Sequence, residues 1–122
     1  MKVQYKTKNG RFLVEFEAST QTELWKQLAE FQEVFEDLTC TKKVGDKVHT
    51  SDNVRFVVRN VDDNDFYELH CVEPGPLRGA KKSFGVAKKG GGLFPHRKDP
   101  KTGEFYKDGG WRIWDKEQQK EV

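Results

Sequence analysis

The chain predicts an α+β fold: a mainly antiparallel sheet of about five to six strands with one helix packed on one face, in the order β-β-α-β-β-β, followed by a basic excursion. Three observations predict it. Two alternating apolar/polar runs flank Asn9-Gly10, an apolar stripe at helical spacing follows at 21–36, and a second pair of alternating runs, 54–61 and 66–72, flanks the acidic stretch 62–65. At 122 residues the chain has room for one core. A single domain is expected over 1–114, with the basic excursion at 78–112 and a charged tail at 115–122 that frays.

Val3 and Tyr5, then Phe12, Val14 and Phe16, alternate with polar neighbours around Asn9-Gly10, the strongest short hairpin signal because both residues tolerate positive φ. A two-residue turn there pairs Lys8 with Arg11, Tyr5 with Val14 and Val3 with Phe16. Strands are expected at about 2–8 and 11–18, with the apolar residues sharing one face. Thr20 and Glu23 stand at capping-box spacing ahead of the stripe Leu24, Leu28, Phe31 and Phe35, so a helix is expected over 21–36 with that stripe on the sheet.

A third strand is read at 38–43, ending in a turn at Gly45-Asp46. In the next hairpin a four-residue turn at 62–65 would set Val58 opposite Leu69 and Phe56 opposite Cys71 on the core side, with Arg59 facing Glu68 and Arg55 facing Val72. Arg55 and Arg59 then share one face and Tyr67 takes the other. Pro74-Gly75-Pro76 stops the strand, since proline cannot donate to a ladder. Short strands are expected at 82–87 and 110–114.

Charge is segregated along the chain. Residues 1–77 carry a net −4, residues 78–112 a net +7 and residues 113–122 a net −1. The stretch from Arg78 to Trp114 holds ten Lys/Arg against three acids, eight of the eleven glycines and six aromatics. Cations neutralise phosphates, flat rings stack on bases, and glycines let the backbone approach a ligand closely. A solvated loop whose rings pack back onto the domain is the plain alternative. The pairings of Phe94 with Arg97 and Lys98, and of Phe105-Tyr106 with Lys107, repeat one theme of ring beside cation that suits unpaired bases better than a duplex.

Other chemistries fare worse. Lys88-Lys89 before Gly90-Gly91-Gly92 could cradle phosphates through backbone amides, but the Walker spacing of an NTPase is absent. Cys40, Cys71, His49, His70 and His96 show none of the short paired spacings of a zinc site, so no metal or cofactor is expected. The two cysteines are expected as buried free thiols. The acids at 62–65 lack the spacing of a calcium loop. No nucleophile stands beside a base, and the chain is not expected to be an enzyme. No apolar run approaches a membrane span, and MKVQYKTKNG lacks the apolar region of a signal peptide, so a cytoplasmic protein without membrane partners is expected.

The run KKSFGVAKKGGGLFPHRKDPKTGEFYKDGGWRIWD, following a ββα-ββ body, resembles the C-terminal part of small single-stranded DNA-binding proteins of phages and mobile elements. The likeness covers about the last third of the chain and rests on a Lys/Gly/aromatic texture. It implies a DNA replication or recombination accessory without a catalytic centre, located in the host cell cytoplasm if phage-encoded.

The expected function is sequence-tolerant binding of single-stranded DNA or RNA, on the sheet's open face or in the groove beside the excursion. Lys81, Lys82, Lys88, Lys89, Arg97, Lys98 and Arg112 are expected to neutralise phosphates, and Phe84, Phe94, Tyr106 and Trp111 to stack on bases. A strand through 110–114 would put Trp111 and Trp114 on opposite faces, with Trp111 exposed and Trp114 buried. The alternative is a protein-interaction module, such as a phage factor that inhibits a host protein, and a second copy of the chain is a further candidate partner.

Overall fold

The structure, a computed structural model, describes residues 1–122, the side chain of Val48 excepted. It is α+β, with one helix and mainly antiparallel sheets. The chain divides into two compact units, Met1–Leu38 and Thr39–Val122.

In the first unit, strands β1 (Lys2–Lys6) and β2 (Leu13–Glu17) pair in the expected register, Tyr5 opposite Val14 and Val3 opposite Phe16, as a two-stranded sheet of their own. The turn between them differs from the expected one. The ladder closes at Thr7–Phe12, Gly10 N–H donates to the Thr7 carbonyl, and only Gly10 takes positive φ, while the Asn9 side chain accepts from the Thr7 hydroxyl and Arg11 N–H. Asn9 therefore acts through its side chain, which caps the turn, and not through its backbone.

Helix α1 (Gln21–Phe35) begins at Thr20, whose hydroxyl accepts from Glu23 N–H, while the Glu23 carboxylate reaches back to Ser19 N–H. Its apolar stripe meets the hairpin through rings: Phe31 lies edge-on to Tyr5, Phe12 and Phe16, and Phe35 edge-on to Phe12. The Tyr5 hydroxyl donates to the Glu36 carboxylate, which also accepts from Lys8 N–H at 2.6 Å. Those two bonds hold the Glu36 carboxyl below its ordinary range, and the first of them, reciprocally, raises the Tyr5 phenol.

The second unit is built on a sheet of five strands. Strand β3 (Lys43–Val44) and β4 (Lys47–Val48) form a small ladder around Gly45-Asp46, so the expected third strand is confined to a bridge at Cys40–Ser51 and these few residues. Strands β5 (Val54–Val61) and β6 (Asn64–Cys71) pair through a two-residue turn, not the four-residue one expected. Asp62 and Asp63 both take positive φ (52° and 64°), the geometry that matches the twist of the flanking strands. The register moves by two, to Phe56–Leu69, Arg55–His70 and Arg59–Phe66, and leaves every side chain on its expected face because the shift is even.

Strand β7 (Lys81–Val86) pairs with β6 on one side. On its other side β9 (Trp111–Arg112) lies beside Lys81 and Lys82, and β8 (Leu93–Pro95) beside Phe84 to Val86. The core face gathers Val54, Leu69, Cys71, Phe84, Pro95 and Trp111, with Cys40, Leu77 and Ala80 also buried. Both cysteines are free and buried, as expected, and burial pushes the Cys40 thiol up to about 12. The charged tail does not fray: β10 (Trp114–Asp115) pairs with β11 (Lys120–Glu121), and Ile113 and Val122 exchange backbone hydrogen bonds. Among the described residues no helix is long and apolar enough to cross a membrane.

Candidate nucleic-acid interface

Alternation along β7 and β9 sorts the expected site residues. Lys81 is the partner of Arg112, and Lys82 of Trp111. Successive strand residues point to opposite faces, so Lys81 and Arg112 lie on the open face and Lys82, Phe84 and Trp111 on the core face. Lys82 is 5% exposed, Phe84 9% and Trp111 2%. These three are corrections: none can offer its head or ring to a ligand, because the pleat that presents a neighbour buries them. Trp114, expected in the core, is 55% exposed. Residues 110–114 are not one strand, since β9 and β10 belong to different sheets, and Trp111 closes the core at the edge of β7.

The open face carries a row that the sequence reading did not assemble. Arg55 on β5 is the partner of His70 on β6, His70 of Lys81 on β7, and Lys81 of Arg112 on β9. Cationic or protonatable side chains thus line up across adjacent strands, about 5 Å apart. Arg55 and Arg59, expected to share one face, belong to this one, as does Phe66, whose ring lies 5.2 Å from the Arg59 guanidinium.

A buried carboxylate on the same face organises the row. Glu68, its side chain 3% exposed, accepts from Arg59 Nη2 at 3.1 Å and lies 2.9 Å from His70 Nε2. Burial raises its pKa, but the hydrogen bonds from His70 and Arg59 and the charges of Lys81 and Arg59 outweigh it, and Glu68 stays below the ordinary carboxylate range. One buried anion therefore orients two members of a cationic surface.

Next to the row lies an aromatic platform. Phe94, 45% exposed, is the partner of Gly85, and its ring lies where a Cβ on Gly85 would fall, 2.4 Å from the ring's far carbon. The glycine is what lets the ring lie against the strand. The His96 ring meets Phe94 edge-on at 5.7 Å, and the His96 backbone N–H donates to the Ser83 carbonyl.

Residues 97–106 fold back on themselves. Tyr106 N–H donates to the Arg97 carbonyl, Asp99 N–H to the Glu104 carbonyl, and Lys98 bridges Phe105. The ring-and-cation theme is present with changed partners: the Lys98 ammonium is 4.8 Å from the exposed Phe105 ring, and the Arg112 guanidinium 4.5 Å from Tyr106. Tyr106 is therefore half-buried under a cation. Phe105, absent from the expected stackers, is the more open ring. A groove of about 340 Å³ lies here, lined by Ser83, His96, Lys98, Pro100, Tyr106, Gly110, Arg112 and Glu121, and continues past His96 and Lys98 into one of about 310 Å³ that ends on Phe94 and Phe105.

The excursion is pinned and not a free loop. Lys42, almost fully buried, meets the Asp108 carboxylate at 2.7 Å, and Lys43 N–H donates to the same side chain. Gly110, at φ 99°, passes so close to the His96 carbonyl oxygen that a Cβ would lie 2.5 Å from it. Lys88 and Lys89 are exposed on the turn between β7 and β8, where Gly90 and Gly91 take positive φ, and Arg97 and Lys98 are exposed beyond β8. Among the described residues no group of three or more His, Cys, Asp or Glu could hold a metal ion. No protein-family model, no curated protein and no solved structure matches the chain.

Proposed function

We propose that the protein binds single-stranded nucleic acid, with little regard to sequence, on the open face of its five-stranded sheet. The observation that carries this reading is the transverse row Arg55–His70–Lys81–Arg112, flanked by the ring of Phe94 and the groove that leads to Phe105. A strand laid across the sheet would meet a line of cationic and protonatable groups for its phosphates and rings beside them for its bases. Lys88, Lys89, Arg97 and Lys98 extend the positive surface along the excursion. On this reading, and in line with the resemblance to small phage and mobile-element proteins, the activity would serve replication or recombination in the cytoplasm of a host cell, without a catalytic step.

The test is a gel-shift series with single-stranded DNA, single-stranded RNA and duplex at two salt concentrations. Single strands are expected to bind more tightly than duplex, and affinity to fall with salt with a log–log slope near −0.7 per neutralised phosphate. Equal affinity for duplex, or no binding at low salt, overturns the reading.

A second reading has one observation in its favour. Phe56 and Val58, on the core-side face of β5, are exposed toward the hairpin tip, as a protein-binding surface would require. A host protein docked there would hold with little salt dependence.

A further inference from the structure

Glu121 stands at the β7–β9 end of the cationic row. Its carboxylate lies 3.2 Å from Lys81 Nζ, and its backbone carbonyl accepts from Arg112 Nη2 at 2.7 Å. Lys81 and Arg112 are direct partners across β7 and β9, so a single residue engages two neighbouring members of the row. It also lines the 340 Å³ groove with Ser83, His96, Lys98, Tyr106 and Arg112. The arm that delivers it is the β10–β11 hairpin, held by the ladder Trp114–Glu121 and Asp115–Lys120 and by the backbone bonds between Ile113 and Val122.

We propose that Lys81 and Arg112, with Ser83, His96 and Lys98 around the groove, form a seat for one phosphate group, and that Glu121 is an internal anion occupying it. The inference deepens the nucleic-acid reading and rests on it for the source of the phosphate. A carboxylate and a phosphate diester each carry a single negative charge on two outward oxygens, so the Lys81 ammonium serves either, while Arg112, one of whose N–H groups is held by the Glu121 backbone carbonyl, adds its charge beside it. The Glu121 side chain is 42% exposed and the Lys81 side chain 30%, so this ion pair is wet and exchanges readily. The β11 ladder is made by backbone atoms, so the carboxylate can leave while the arm stays. A strand phosphate that takes the seat displaces the carboxylate into water, and the protein binds its ligand at the cost of that exchange. The arm thereby lowers affinity for weak anions and leaves the seat to a polyanion that gains several contacts at once.

The experiment uses the full chain with Glu121→Gln, Glu121→Ala and the double variant Lys81→Gln/Glu121→Gln, and two probes: a single-stranded oligothymidylate and inorganic pyrophosphate. Removing the carboxylate releases one cation, so Glu121→Gln is expected to bind the strand on the order of tenfold more tightly at low salt, with a log–log slope steeper by about 0.7. Lys81→Gln in that background is expected to erase the gain. Pyrophosphate, followed by side-chain NMR signals of Lys81 and Arg112, is expected to saturate at roughly tenfold lower concentration in Glu121→Gln than in the wild type. Unchanged or weaker affinity for both probes in Glu121→Gln and Glu121→Ala, with melting preserved, overturns the proposal and makes the contact a structural tie. Pyrophosphate binding without any strand binding would retain the seat and discard the nucleic-acid reading.

Discussion

Lys82 and Trp111 face one another across β7 and β9 with both side chains buried, while their immediate neighbours Lys81 and Arg112, also partners, stand half-exposed on the opposite face. The same two strands thus close the core and present the ligand-facing cations, and single substitutions separate the two roles.

Lys81→Gln is expected to weaken single-strand binding and, in the Glu121→Gln background where this cation is unpaired, to flatten the salt slope by about 0.7, because one phosphate contact is lost. Lys82→Met is expected to leave the slope where it was, since a buried ammonium neutralises no phosphate. Gel shifts over a salt series measure both, and a flattened slope in Lys82→Met would reverse the face assignment.

Trp111→Ala is expected to cost about 3–5 kcal/mol of stability, as deletion of a fully buried indole does. Trp114→Ala, at an exposed ring, is expected to stay within about 0.5 kcal/mol of the parent. Denaturant unfolding of the two variants decides it, and equal losses would contradict the burial pattern.

Gly85→Ala places a methyl group where the Phe94 ring now lies. A side-chain ring can swing aside, so the fold should persist while the stacking platform is displaced. The expected result is single-strand affinity lowered by roughly one to two orders of magnitude, similar to Phe94→Ala and not additive with it. Additive losses in the double variant would show that the glycine acts elsewhere.

Lys42→Met leaves the Asp108 carboxylate without its ammonium in a nearly dry site. A loss of about 3–5 kcal/mol is expected, with much of it recovered in Lys42→Met/Asp108→Leu, because the penalty comes from an unpaired buried charge. Chemical denaturation of the single and double variants checks this.

The Tyr5–Glu36 contact makes the first unit sensitive to pH at both ends. Glu36 has a folded value below its ordinary 4.5, so its contribution is present above that value and is lost as pH falls through the depressed one. Tyr5 has a folded value above its ordinary 10.0, so its contribution is present below pH 10 and is lost as pH rises through the raised one. The melting difference between the parent and Tyr5→Phe is therefore expected to be largest at neutral pH and to shrink as pH falls below 4.5 and through the depressed Glu36 value. A difference that persists in acid would mean that the hydroxyl acts through some other partner.

Local chemistry determined much of this protein on its own. The alternation of Val3, Tyr5, Val14 and Phe16 could bury one face only one way, and a Thr-x-x-Glu start followed by a stripe at helical spacing admits one helix. These are short-range preferences, readable because each residue's neighbours in sequence are its neighbours in space. The turn at Asp62-Asp63 was already harder, since two acids tolerate several turn types and the twist of the paired strands chose among them. The site depended on tertiary structure. The run Lys81-Lys82 beside Phe84 reads as one basic and aromatic patch along the chain, yet a pleated strand divides it between core and surface. Arg55, His70, Lys81 and Arg112, scattered over nearly sixty residues, become one row only when β7 inserts between β6 and β9. The sequence expectation of an exposed Trp111 and a buried Trp114 was the reverse of the structure, because the pairing of β9 with β7 sets Trp111 opposite Lys82 on the buried face.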